Sequence, residues 1–64
     1  MDLWTEILSR EPARTKATFQ QLTNAEKISV RSHLIKMTTE EGWHPEQVRS
    51  ASLALEAIKN LPDV

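Results

Sequence analysis

The sequence predicts a small all-α domain, and three observations carry that prediction. Glycine and proline occur only as punctuation, apolar segments of helical spacing open on helix-start residues, and the β-branched and aromatic residues are too scattered for strands. Four helices are expected, at about residues 2–9, 12–22, 24–40 and 45–60, in a single compact helical domain covering residues 1–64. Three helices with a disordered or merely docked N-terminal turn form the structural alternative to the four-helix bundle.

The first segment is short. Asp2 is placed to accept hydrogen bonds from the free amides of the first turn, and Leu3, Ile7 and Leu8 share one side with Trp4 near them. The second opens at Pro12, whose missing N–H costs nothing at the first helical position, with Ser9 or Glu11 preceding that start. Ala13, Ala17, Phe19 and Leu22 are its apolar residues, while Thr15 and Thr18 lower its propensity, so its order must come from packing.

The third segment opens on a capping box, Thr23 with Glu26 three residues on. At ~100° per residue its apolar side chains fall into two groups, Val30, Leu34 and Met37 on one side and Ile28 and Ile35 on the other. Two stripes predict a helix touched from two directions, hence one at the centre of the bundle. The fourth segment starts at Pro45 and stops near Pro62. Val48, Ala51, Ala54, Leu55, Ile58 and Leu61 make one broad apolar side, and the alanines at 51, 54 and 57 allow close approach to a neighbour. Arg49, Glu56 and Lys59 lie opposite, with Leu53 as the one apolar residue among them.

Between the last two helices stands TTEEGWHPEQVRSA, residues 38–51, the most information-dense stretch of the chain. Gly42 suits the left-handed conformation that ends a helix, and Trp43 can pack back near Met37 or Thr38. Trp43 also has hydrophobic-staple spacing to Val48 across a His44 N-cap, and Gln47 falls where a reciprocal capping side chain would be. A helix–turn–helix joint accounts for every residue of the stretch. The functional reading is that Trp43 is partly buried and anchors a partner, as Trp4 could from the first helix.

Size and composition limit what such a domain can do. A 64-residue chain buries a smaller fraction of its surface than a typical domain, and with no cysteine it has neither disulfide nor cysteine-rich zinc site to staple it. That favours a working partner that is another protein, or a second copy of the same chain. Eight basic residues against nine acidic, spread along the chain, give no electrostatic reason to bind nucleic acid or an anionic membrane. No apolar run approaches the roughly 20 residues of a membrane span, and MDLWTEILSR does not read as a secretory signal, so a cytoplasmic setting is expected.

Chemistry is sparse. Ser29 and His33 lie four apart on one helix, but no nucleophile elbow or glycine-rich turn accompanies them. His33, Met37, Glu40, Glu41 and His44 are potential metal ligands of mixed hardness without paired helical spacing. No phosphate-cradling or dinucleotide motif occurs. No enzyme activity, metal or cofactor is expected.

The stretch LTNAEKISVRSHL, residues 22–34, resembles the start of LuxR-type helix-turn-helix domains through its Leu-Thr-x-x-Glu opening. That resemblance covers about a fifth of the chain (13 of 64 residues) and implies an alternative reading as a nucleic-acid-binding domain. Gln47 and Arg49, near the N-terminus of the fourth helix, would then face base edges, beside an opposing Glu46. The main expectation is a cytoplasmic protein-interaction or regulatory module without catalytic activity, self-associating or binding another protein, with Trp4, Trp43 and Leu53 as its contact residues.

Overall fold

The computed structural model describes residues 2–61 and contains four helices: α1 Leu3–Ile7, α2 Pro12–Gln20, α3 Asn24–Thr39 and α4 Pro45–Ile58. No strand occurs among the described residues. The fold is a small all-α bundle. Each expected helix is present, each ending one or two residues earlier than the pattern predicted. The stop expected at Pro62 lies outside the described residues.

The helix starts follow local chemistry. The Asp2 carboxylate accepts from the Trp4 amide at 3.4 Å and from the Thr5 hydroxyl at 3.2 Å. Glu11 is the N-cap of α2 in extended backbone, with Pro12 next and no side-chain cap bond. At α3, the Thr23 hydroxyl accepts from the Glu26 amide at 3.2 Å while Glu26 Oε1 accepts from the Thr23 amide at 2.9 Å. His44 caps α4: its Nδ1 accepts from the Glu46 amide at 3.3 Å, which leaves the proton of the neutral ring on Nε2. Gln47 Oε1 closes that box by accepting the His44 amide at 3.2 Å.

Ile7, Phe19, Val30, Leu34, Met37, Ala51, Ala54 and Ile58 form the buried core, so every helix contributes to it. The helix at its centre is α4 and not α3 as the two-stripe argument predicted. α4 packs against both α3 and α2, and α2 against α1. Buried Ala51 and Ala54 supply the physical reason, since short side chains let two neighbours approach one helix. Ile28 and Ile35, the second stripe of α3, are left 55% and 46% exposed.

Two buried polar groups occupy positions that apolar periodicity does not mark. Thr15, 1% exposed, donates its hydroxyl to the Ile7 carbonyl at 3.1 Å and so ties α2 to the last turn of α1, whereas Ala13 and Ala17 face solvent. Glu6, 7% exposed, lies against Arg14 of α2. Arg14 Nη2 donates to Glu6 Oε1 at 3.2 Å, its Nε sits against Oε2 without hydrogen-bond alignment, and its Nη1 reaches Glu11 at 2.9 Å. Hydrogen bonding to Glu6 and then Glu11 raises the Arg14 pKa above its ordinary value.

The α1–α2 connection is pinned at Arg10, which has φ 65. A non-glycine residue in this left-handed region is disfavoured by ~1–2 kcal/mol. Its side chain reaches across to α4, donating from Nε to Ser50 Oγ at 2.9 Å and from Nη2 to the Glu46 carboxylate at 2.6 Å and carbonyl at 3.1 Å. These bonds lower the Glu46 pKa. The radius of gyration, 10.8 Å, matches the ~10.7 Å of a folded chain this long. No helix among the described residues is long and apolar enough to cross a membrane.

Candidate protein-interaction surface

α3 carries the most continuous exposed apolar surface, and its geometry follows from its two ends. The capping box fixes the start, and the bond from the Thr23 amide holds the Glu26 carboxyl below its usual pKa. At the other end the Thr38 and Thr39 hydroxyls both donate to the Ile35 carbonyl, at 2.9 and 2.8 Å. The backbone leaves the helix at Glu40 in an extended conformation (ψ 150), and the turn is completed at Gly42, φ 97. Gly42 therefore shapes the joint two residues beyond the helix cap and does not itself terminate α3.

Between these ends the helix has two unlike sides. Val30, Leu34 and Met37 are buried. Opposite them lies a neutral strip of exposed residues, Asn24, Ala25, Ile28, Ser32, Ile35 and Thr39. Lys27 and Arg31 flank it on one side and Lys36 on the other. The Lys27 ammonium lies 5.9 Å from the Phe19 ring centroid and the Arg31 guanidinium 5.3 Å from it. Arg31 Nη2 also donates to the Leu61 carbonyl at 2.8 Å and the Ile58 carbonyl at 3.4 Å, closing the end of α4.

The two tryptophans, which come from distant parts of the sequence, meet on a third residue. The His33 ring of α3 lies between them, 4.8 Å from the Trp4 ring in a tilted arrangement and 5.7 Å from Trp43 edge-on. All three side chains are half-buried, and both indoles also pack against the core. The cluster joins α1, α3 and the α3–α4 joint. Leu53, 43% exposed, lies on the outer side of α4.

The residues named for base contacts are placed differently from one another. Gln47 commits its amide oxygen to the His44 cap, and Arg49 is exposed near Glu46, whose pKa its charge helps to lower. Among the described residues no group of three or more histidine, aspartate or glutamate side chains is arranged to hold a metal ion, and no pocket opens.

Sequence reasoning selected Trp4, Trp43 and Leu53 and missed Ile28 and Ile35 as exposed groups. The signal was present as the second stripe of α3. It was assigned to a neighbouring helix that the fold does not put there.

No family model, no curated protein and no solved structure matches this chain.

Proposed function

We propose that this protein is an interaction module that works without catalysis and docks a partner protein through the outer side of α3. One observation carries the reading: Ile28 and Ile35, two turns apart, stand half-exposed in a strip without a charged residue. Single exposed apolar residues are ordinary on protein surfaces, but an aligned pair framed by small polar side chains has the layout of a helix-in-groove or helix-on-helix contact. The half-exposed indoles of Trp4 and Trp43, and Leu53, are further candidates for contact at its margins. The cysteine-free composition and balanced charge fit a cytoplasmic setting.

Position-specific photo-crosslinking tests the reading. A benzophenone side chain is placed at Ile28, at Ile35 or, as a control, at exposed Lys16 of α2. Discrete protein adducts are expected from the two α3 positions and not from Lys16. The same adducts at all three positions, or none at the α3 positions, would overturn it. Adducts to nucleic acid would favour the helix-turn-helix reading through Gln47 and Arg49.

A further inference from the structure

We propose that α1 is an exchangeable arm, which leaves its own chain and docks in the same seat on a second copy, so that two chains form a reciprocally swapped dimer. The exchange needs nothing from the α3 strip; it follows from the connection between α1 and α2. That connection is residues 8–11, and one of them, Arg10, stands at φ 65. A short hinge that holds a strained residue invites exchange, because the strain belongs to the tight reversal and disappears when the hinge straightens. Glycine adopts this backbone freely, whereas an arginine pays in steric conflict at its Cβ.

The residues around Arg10 set what the opened hinge becomes. Glu11 is extended, with φ -111 and ψ 106, and Pro12 after it would break the backbone bonding of any helix running through from α1. The two helices therefore stay separate, and the opened connection is an extended strap. Little within the hinge opposes this. The Ser9 amide reaches the Glu6 carbonyl only at 3.4 Å, and the Glu11 amide reaches Ser9 Oγ at 3.3 Å, both long for hydrogen bonds. The Arg10 side chain resists opening through its bonds to α4. Its ion pair with Glu46 is open to water, with 38% and 69% of the two side chains exposed, so that resistance is modest.

The contacts that α1 already makes define where the arm goes. Ile7 is fully buried in the core, its carbonyl accepts the Thr15 hydroxyl, Glu6 lies against Arg14, and the Trp4 ring lies on His33. Each of these joins α1 to residues beyond the hinge, so α1 of a second copy reproduces all of them across the pair. The seat takes a carboxylate next to a buried apolar side chain, and α1 carries both. A tethered arm meets its own seat at an effective concentration on the order of millimolar, so dilute protein stays monomeric. Release of strain in both chains favours the pair, and exchange is expected at roughly 0.1–1 mM.

Charge reversal in mixed chains tests the proposal by sedimentation velocity. Glu6→Arg sets like charges together within one chain, and Arg14→Glu does the same in another. In a swapped pair of these two variants, the reversed residue 6 meets the reversed residue 14, while native Glu6 meets native Arg14. Both seats are then satisfied. The mixture, unfolded and refolded together, should form a dimer about tenfold or more tightly than either variant alone. No dimer in the mixture would overturn the proposal, and so would a dimer that each variant forms alone as well as the mixture does. A second pair of variants isolates the hinge even if the reversed chains fold poorly. Arg10→Ala and Arg10→Gly both lose the bonds to α4, but only glycine relieves the strain. The alanine variant should therefore dimerise about fivefold or more tightly than the glycine variant. Equal dimerisation of the two, or none in either up to about 1 mM, would overturn the strained hinge as the cause of exchange.

Discussion

The two sides of α3 contain similar residues in unlike circumstances. On the inner side Val30, Leu34 and Met37 are at most 3% exposed and meet the rest of the core. On the outer side Ile28 and Ile35, as apolar as any of these, keep about half their surface in water. Helix formation does not distinguish them, since the capping box at Thr23 and Glu26 orders both sides alike. What separates them is whether a neighbouring helix arrives, and α4 arrives on one side only. An apolar side chain records an opportunity for burial; the packing of other elements decides whether that opportunity is used within the chain or left for something else.

Mutations can break this contrast. Leu34→Ala should cost ~2–5 kcal/mol, because the side chain is fully buried and removing it leaves a cavity as well as lost transfer energy. Against the ~5–15 kcal/mol of a typical domain, in a chain at the small end of that scale, urea denaturation should show a protein close to unfolded. Gly42→Ala should cost about 1–2 kcal/mol. A Cβ there meets nothing within 4 Å, so the loss comes wholly from backbone strain at φ 97, and the urea midpoint should fall without a change in slope. Thr23→Ala removes one half of the capping box and should cost ~1 kcal/mol, read in the same way. At the other extreme, Ile28→Ser and Ile35→Ser should each change stability by less than ~0.5 kcal/mol. A larger loss at either isoleucine would show that the outer side supports the fold and would erase the distinction.

Acid sharpens the picture from the solvent side. The bond from the Thr23 amide favours ionised Glu26 in the folded chain, so its pKa is depressed on folding. The resulting stabilisation is complete above the ordinary glutamate range, near about pH 4.3, and is lost as pH falls through the lower folded value. Glu46, held down by Arg10, behaves in the same sense. Glu26→Gln should therefore flatten part of the acid loss in a urea-midpoint titration, and an unchanged profile would show that the box is not linked to pH.

The helix starts were legible because capping is local. Asp2, the Thr23–Glu26 pair and the His44–Gln47 pair bond amides within three residues of themselves, and Pro12 only fixes its own backbone angle. The side of α4 facing the core was legible for a related reason, since all its apolar residues but Leu53 fall on one broad side. What escaped were facts that need a second element. Thr15 is buried because the Ile7 carbonyl lies above it, and Glu6 because Arg14 lies beside it, eight residues away in each case. The Trp4–His33–Trp43 cluster brings together residues from three separate regions that no short window contains. Ile28 and Ile35 were visible as a stripe, but pattern alone says only that a stripe is apolar and not what covers it.

The bridge from Arg10 to α4 also bears on the order in which the molecule assembles. Its bonds join residues 36 and 40 positions apart, whereas α3 and α4 meet across a joint of five residues, 40 to 44. The short closure loses little chain entropy, so the α3–α4 pair can form first and offer α2 a surface on which to dock. On that order, the expectation is that Arg10 fastens a step after the rate-limiting one. Stopped-flow mixing of Arg10→Ala should accordingly show faster unfolding with a nearly unaltered folding rate, and slower folding would place the bridge in the nucleus instead. Faster unfolding with unaltered folding would make the residue at φ 65 a timer for the lifetime of the folded state, with little say in how quickly that state is reached.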